Sequence, residues 1–396
     1  MKVLYVSVER RYQYYAGKYY VQGIEDIDFF IRYLDAFDFI NVIARVEKVN
    51  KKPKGYKLFE HDSIKIVPIF TVKTGIINLI QIVKLAKSIK KKNAFSILRT
   101  PGVFSYILSI YYKFYKINYS LEVVTNPLQE AKSLTKHNLI NYFLSKIFIT
   151  IFKMQLNKCN YASFVTNFEI QKLFLNSEEI NSKKFNSSYS SINLDEYDFA
   201  NTSLMKNRIR HYDSLGKINL LFIGVLDRPF KGLDIFINLL NILPENYSAT
   251  IVGDGYLINK YKKMAQDLNL SERITFKGYV SDKQMKKKIM TSADIFLLTS
   301  RREGLPRVVI EAMAWGLPCV CSDVSGVREL IDNNYIFPIN DYISAKKIIC
   351  NLTPESLINM SNENIQKAIS YKDIFLTKRR FDFYQKVISS ESSTFK

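Results

Sequence analysis

The segment SRREGLPRVVIEAMAWGLPCV, residues 300–320, holds the densest set of groups able to do chemistry. Glu303 and Glu311 lie eight residues apart, Glu303 in a loop after an expected strand and Glu311 inside the following helix. Pro306 stands where the first helical turn should be, a favoured place for proline. A helix start leaves the amides of Arg307 and Val308 without intrahelical acceptors, and with the helix dipole they form an anion site. Glu311 can accept hydrogen bonds from sugar hydroxyls. A glutamate on a helix is ordinarily just solvated. Leu305, Val309 and Ala312 make these surroundings apolar, however, and a carboxylate near a core needs a reason. Lys231, between Phe230 and Gly232 after another expected strand, suits phosphate, its plain alternative being a surface lysine at a helix start.

These groups need a scaffold that gathers strand ends. In the second half, INLLFIGV, SATIVGDG, ITFKGYV, DIFLLTS, PCVCSDV and YIFPI read as strands, with helical stretches between most of them. That alternation predicts a doubly wound α/β domain, in which ligands bind beyond the carboxyl ends of the strands. Gly253 and Gly255 would let the backbone turn close to a ligand, although Asp254 between them could simply cap a helix. The first half alternates likewise: VLYVSV, FINVIARV, IKIVPIF, AFSILR, SLEVV and YASFVT read as buried strands of a parallel sheet. KKFNSSYSS (183–191) reads as a loop, and 195–216 as the passage between two domains.

Length and composition agree with two globular domains and exclude wholesale disorder: 396 residues, 47% hydrophobic and 24% charged. The formal charge of +20 implies an anionic partner. Ser63 through Leu121 contains no Asp or Glu and ten basic residues, including Lys84, Lys87, Lys90, Lys91 and Lys92. There Ile76, Leu79, Ile80, Val83 and Ala86 are expected on one helical face and Lys84, Lys87 and Lys91 on another. A basic amphipathic surface followed by the aromatic run FSYILSIYYKFYKI suits an anionic membrane. An ordinary helix with lysines near its C-terminus would give the same pattern. Leu139–Met154 is too interrupted by polar residues to span a bilayer, and Val3–Val8 is too short for a signal peptide. Cys159, Cys319, Cys321 and Cys350 match no zinc spacing, so free thiols in a reduced cytoplasmic setting are expected.

EGLPRVVIEAMAWGLP resembles the signature of glycosyltransferase family 4, with its E-x7-E pattern and E-A-M-A-x-G-x-P helix. FIGVLDRPFKGLD, IVGDG, ITFKGYVSD and ADIFLLTS follow in the family's order, so the likeness spans about 217–330. The first half is more loosely similar to bacterial capsule and exopolysaccharide members. The resemblance implies the α/β GT-B fold, two Rossmann-like doubly wound domains facing a central cleft. Residues 1–205 would bind the acceptor and 206–374 the nucleotide-sugar donor, with helix 375–396 packing back on the first domain. It implies Glu311 on the donor's ribose, Glu303 on the donor sugar, and the amides of Arg307 and Val308 at the diphosphate or sugar. Lys231 would bind the diphosphate. Gly224, Gly253, Gly255, Gly278, Val280, Gly304, Leu305 and Pro306 would complete the donor site, with Gly278 and Val280 near the base unless they form a plain turn.

Two positions depart from the family. Val225 replaces the arginine many members carry after the residue matching Gly224, so the diphosphate would rely on Arg228 with Lys231. EVVTNP has Asn126 where many relatives place a His, which leaves Asn126 and Arg99 as acceptor-side candidates; His137 nearby reads as a helix residue. The expected activity is retaining transfer of a hexose or N-acetylhexosamine from a UDP- or GDP-sugar to a lipid-linked or saccharide acceptor in surface polysaccharide synthesis. With no Asp-x-Asp pair in the donor half, neither metal nor cofactor is expected. The partners would be donor, acceptor and the anionic inner face of the cell membrane, without nucleic acid. The alternatives are a non-catalytic scaffold of the same fold and a nucleotide-sugar epimerase.

Overall fold

The computed structural model describes residues 1–23, 25–53, 55–70, 79–92, 94–132, 138–213 and 216–392; Ile76 and His137 lie outside them. The chain divides into two compact units, residues 1–189 with 377–396, and residues 190–376. The division falls earlier than the expected 205.

In the first unit the chain runs through β1 (Val3–Tyr15), β2 (Lys18–Val21), α1 (Ile27–Ile31), β3 (Phe39–Lys48), β4 (Lys57–Phe59) and β5 (Ile64–Phe70). It continues through α2 (Leu79–Lys92), β6 (Phe95–Thr100), α3 (Val103–Tyr115), β7 (Ser120–Val123), α4 (Pro127–Lys132), α5 (Asn138–Lys158), β8 (Ala162–Phe164), α6 (Ser177–Asn181) and β9 (Ser187–Ser188). Strands β5, β3, β1, β6, β7, β8 and β9 lie side by side, all parallel. The winding therefore reverses between β1 and β6.

Three local expectations change. β1 runs past Val8 into an antiparallel hairpin with β2, because Ala16 (φ 47°) and Gly17 (φ 81°) make the two-residue left-handed turn that a hairpin needs. Part of KKFNSSYSS forms β9 at the sheet edge. On α2 the buried face is Ile82, Leu85, Ala86 and Ile89, while Ile80 is exposed in a stripe with Lys84, Lys87 and Lys91. Lys90 and Lys92 are exposed as well.

Apolar cores cover both faces of this sheet. One is built from α2, α3 and α5, with Leu85, Phe104, Tyr112 and Phe152 buried. The other includes Phe30, Tyr33 and Phe37 together with Phe383 and Tyr384 of the last helix. Tyr384 lies 5.1 Å from Tyr33 and 5.9 Å from Phe37, ring to ring, which ties the end of the chain into the first unit. Beside this cluster the buried carboxylate of Glu122 accepts from Tyr33 and Tyr189, both at 2.8 Å, and faces Arg99 at 3.2 Å.

The second unit begins with α7 (Thr202–Asp213), so the stretch expected as a passage holds a packed helix. Its buried Arg208 donates to the carbonyls of Ala293 (2.7 Å) and Met290 (3.0 Å), and His211 meets Asp294 at 2.8 Å. The sheet comprises β10 (Ile218–Ile223), β11 (Tyr247–Val252), β12 (Ile274–Gly278), β13 (Ile295–Leu298), β14 (Cys319–Ser322) and β15 (Ile336–Phe337). Its helices are α8 (Leu233–Ile242), α9 (Ile258–Asp267), α10 (Lys283–Ser292), α11 (Arg307–Ala314), α12 (Tyr342–Cys350) and α13 (Pro354–Ile369), before α14 (Asp373–Ser392) crosses into the first unit. The order β12-β11-β10-β13-β14-β15 is wholly parallel and reverses between β10 and β13. The four thiols are free; burial pushes Cys159 up to about 12 and raises Cys319 and Cys321, so these three stay protonated.

At the C-terminal edge of this sheet two turns nearly touch. A Cβ on Gly253 (φ +141°) would lie 1.9 Å from the carbonyl oxygen of Gly224. Gly253→Ala is therefore expected to cost more than about 1 kcal/mol, from strain and clash together. Gly216→Ala, where a Cβ meets nothing within 4 Å, should change stability by less than about 0.5 kcal/mol. Denaturant melts of the two variants check this, and equal stability would contradict the close approach.

Candidate active site

The residues singled out in the second half collect at the carboxyl ends of one sheet. Gly224 follows β10, Gly253 and Gly255 follow β11, and Gly278 ends β12 with Val280 just beyond. Glu303, Gly304, Leu305 and Pro306 form the loop after β13, and Arg307, Val308 and Glu311 lie on α11. The Gly253 amide donates to the Gly278 carbonyl at 2.8 Å, and the Gly224 amide to the Val252 carbonyl at 3.0 Å. Asp254 does not cap α9; it bonds the amide of Gly255 at 2.7 Å. Val225 is 60% exposed at this edge.

Lys231 and Glu303 meet at the reversal of the winding. The Lys231 ammonium donates to Glu303 Oε1 at 2.7 Å, and the Ser300 hydroxyl donates to the same oxygen at 2.7 Å. Both ionic side chains are largely buried, at 21% and 15% exposure. Removing one member of such a pair leaves the other charge short of a partner, at a cost of up to about 3–5 kcal/mol if burial were complete.

The loops that hold this pair are fixed from behind. Arg301 makes a two-pronged pair with Asp234 on α8, at 2.9 and 2.6 Å, and its amide donates to the Phe230 carbonyl at 2.7 Å. Asp234 in turn holds the Arg301 guanidinium above its ordinary pKa. The Thr299 hydroxyl donates to the Gly232 carbonyl at 2.8 Å. Ser322 on β14 donates to the Ser300 carbonyl at 2.6 Å. None of these was legible as a partnership, because Arg301 and Asp234 are 67 positions apart.

Helix α11 begins at Arg307, with Pro306 as its cap residue rather than in its first turn (φ −72°, ψ 92°) and no side chain capping it. The amides of Arg307 and Val308 make no hydrogen bond among the described residues. Glu311, one turn further, pairs with Lys286 of α10 at 2.6 Å, a lysine that sequence reasoning missed. Val309, Ile310, Ala312 and Met313 behind it are fully buried, so the core fixes the helix rotation and leaves Arg307, Val308 and Glu311 half-buried. Arg228 is exposed, at the start of the short turn Pro229–Lys231, with no partner among the described residues.

The acceptor-side candidates lie in the first unit. Asn126 is buried and its side-chain oxygen accepts from the Leu128 amide at 2.9 Å, holding the start of α4. Arg99 is buried at the end of β6, ion-paired with Glu25 and Glu122 and stacked 4.4 Å over Phe29. The carboxylates raise its pKa further above the ordinary arginine value, against the opposing effect of burial.

Residues 206–377 match the family of glycosyl transferases group 1. A UDP-Gal:alpha-D-GlcNAc-diphosphoundecaprenol alpha-1,3-galactosyltransferase of Escherichia coli is 32% identical over 133 residues, a third of each chain (33%). Protein CapJ of Staphylococcus aureus is 26% identical over 348 residues, covering 85% of this chain and 82% of that one. Among solved structures, sucrose-phosphate synthase from Thermosynechococcus elongatus superimposes with a TM-score of 0.70 at 13% identity, over 98% of this chain and 100% of that one. The lipopolysaccharide outer core galactosyltransferase WaaB gives 0.62 at 15% identity, over 99% and 100%. Residues 206–377 are thus similar to the group 1 glycosyl transferases, and the chain has the GT-B fold.

Proposed function

We propose that this chain is a retaining glycosyltransferase. It takes a sugar from a nucleoside-diphosphate sugar and passes it to a lipid-linked or saccharide acceptor in bacterial surface polysaccharide synthesis. The observation that carries this reading is the meeting of Lys231, Glu303, the unbonded amides of Arg307 and Val308, and Glu311 around one end of a parallel sheet. The cation and the amides suit a diphosphate, and the two carboxylates suit sugar and ribose hydroxyls. The names of relatives point the same way: the Escherichia coli relative is named for UDP-Gal and a diphosphoundecaprenol acceptor, and the like-folded HepE of Anabaena was solved with UDP.

In the proposed reaction the bond between the anomeric carbon and the diphosphate oxygen breaks, and the electron pair stays with the diphosphate. The Lys231 ammonium, Arg228 and the α11 amides stabilise that growing negative charge, without a metal. The acceptor oxygen bonds the anomeric carbon on the same face, and its proton passes to the departing phosphate. Glu303 holds the donor sugar's hydroxyls and Glu311 those of the ribose. To do so they share or release Lys231 and Lys286.

The same reading places the protein on the anionic inner face of a membrane. Ile80, Lys84, Lys87 and Lys91 are exposed on α2, as are Ile110 and Phe114 on α3 and Tyr142, Phe143 and Ile147 on α5. Helix α3 packs against both α2 and α5. Cations interleaved with exposed aromatic rings match acidic headgroups above an apolar layer. Among the described residues no helix is long and apolar enough to cross a membrane.

Three outcomes are expected. One nucleotide among UDP, GDP, ADP and CMP should raise the melting temperature, by about 2.7 kcal/mol of stabilisation at 100 times its dissociation constant. Glu311→Ala should abolish that rise, and no response to any of the four would remove the donor-site reading. Lys231→Ala, checked for folding by its melt, should lower donor turnover by about 10²- to 10³-fold, the cost of losing one transition-state donor; unchanged turnover would take Lys231 out of the chemistry. Vesicles containing phosphatidylglycerol should retain the protein, and neutral phosphatidylcholine vesicles should not. Added salt and the triple change Lys84→Glu, Lys87→Glu and Lys91→Glu should weaken retention, the latter by at least about 100-fold at roughly 1 kcal/mol per cation. Equal binding to both vesicle types would refute the membrane contact.

A further inference from the structure

Helix α10 follows the loop after β12, the loop that carries Gly278 and Val280. Its start is fixed by Asp282, whose side chain accepts from the Met285 amide at 2.7 Å and whose carbonyl accepts from the Lys286 amide at 3.0 Å. Its far end is held by Arg208, which donates to the Met290 carbonyl. Ile289 and Met290 are buried, and a residue three or four positions before them lies on the same face. That residue is Lys286. Among Lys283, Lys286, Lys287 and Lys288 only Lys286 is half-buried; the other three are exposed. The burial of two apolar side chains thus turns one lysine of a basic helix inward.

The lysine ends on a carboxylate of the neighbouring helix. Its ammonium meets Glu311 Oε2 at 2.6 Å, the two side chains being 40% and 25% exposed. One position on, Lys287 lies 5.5 Å from the ring centre of Trp315, the residue that closes α11. A second carboxylate near Lys286, that of Asp198, makes no ion pair with it among the described residues. Burial, the leading effect, lifts the Asp198 carboxyl above its ordinary pKa, although Lys283 and Lys286 both oppose that. Lys286 is therefore committed to Glu311.

A carboxylate offers about four acceptor positions. The ammonium takes one on Oε2, and Oε1 accepts from no group among the described residues. Two neighbouring hydroxyls can still find acceptors, and they find them on a carboxylate whose plane is already held. A glutamate without that partner gives up rotamer freedom when a ligand arrives; one held beforehand does not, and binding gains by the difference.

We propose that Lys286 is a positioning residue for nucleotide recognition, holding the Glu311 carboxylate in the orientation that accepts both ribose hydroxyls. The lysine acts through Glu311 and touches no ligand itself. The assignment rests on the reading of Glu311 as the ribose ligand and adds the group that sets its geometry. The contrast between ribose and deoxyribose then depends on a lysine of a different helix.

Isothermal titration calorimetry on the full chain tests this, with whichever of UDP, GDP, ADP and CMP binds and with its 2′,3′-dideoxy form, which lacks both hydroxyls. The wild type should bind the ribonucleotide about 10- to 100-fold more tightly, the effect of hydrogen bonds to a charged group. Lys286→Met keeps the stem and removes the charge. It should weaken the ribonucleotide by about 3- to 10-fold and leave the dideoxy form within about twofold. Lys286→Arg should recover most of that loss. Lys288→Met takes the same charge from an exposed position on the same helix and should change neither affinity. A melt of each variant checks folding. If Lys286→Met weakens both forms alike, the lysine acts through folding or distant charge and the proposal fails. It fails too if Lys286→Met binds the ribonucleotide as well as the wild type, or better, while Glu311→Ala loses the preference for ribose; the ribose reading of Glu311 then stands. A wild type that binds both forms equally, or binds none of the four nucleotides, removes that reading and the proposal with it.

Discussion

The two-pronged pair between Arg301 and Asp234 is the constraint on which the second unit's site depends. It fastens the loop after β13 to the first turn of α8, and the Arg301 amide fastens the same loop to the turn after β10. Those two loops supply Glu303 and Lys231. Sheet winding brings their roots together, because β10 and β13 are neighbours although far apart in sequence. Winding alone fixes strand ends to within several ångströms. A 2.7 Å contact between two side chains needs the loops themselves held, and a rigid guanidinium fork does this better than a flexible ammonium would.

The first unit solves a similar problem with different parts. At its reversal the register of β1 with β3 shifts between Ser7 and Arg11, and Gly102 opposite leaves room for the Glu9 carboxylate. Behind it, Glu122 collects Tyr33, Tyr189 and Arg99 into one buried polar network. The same aromatic cluster takes in Tyr384, so the far end of the chain packs into the first unit's core.

Much of this was legible in the amino-acid order, for physical reasons. Apolar runs of strand length separated by helical stretches gave nearly every parallel strand of both sheets. The loop and helix around Glu303 and Glu311 could be placed because a proline and two glycines punctuate them. Spacing could not say what the carboxylates touch: Glu303 was expected to face a ligand and also meets Lys231, and Glu311 meets Lys286. Partners so far apart in sequence are joined only by the sheet. The hairpin of β1 and β2 escaped because its turn is Ala-Gly, weaker than the usual Asn-Gly signal, although the flanking tyrosines favour strands. The buried face of α2 was mistaken by a rotation, since its apolar residues surround enough of the helix to permit two choices.

The Lys231–Glu303 contact also makes the site its own counter-ion. A stray phosphate must break that pair to reach the lysine, and it strands the glutamate in doing so. On the proposed reading a nucleotide sugar breaks the pair too, but it carries hydroxyls to occupy the glutamate. The site then answers to two chemical features at once and to neither alone, like a lock with two tumblers. Discrimination of this kind comes from what an incomplete ligand leaves unmatched, not from added contacts to the right one.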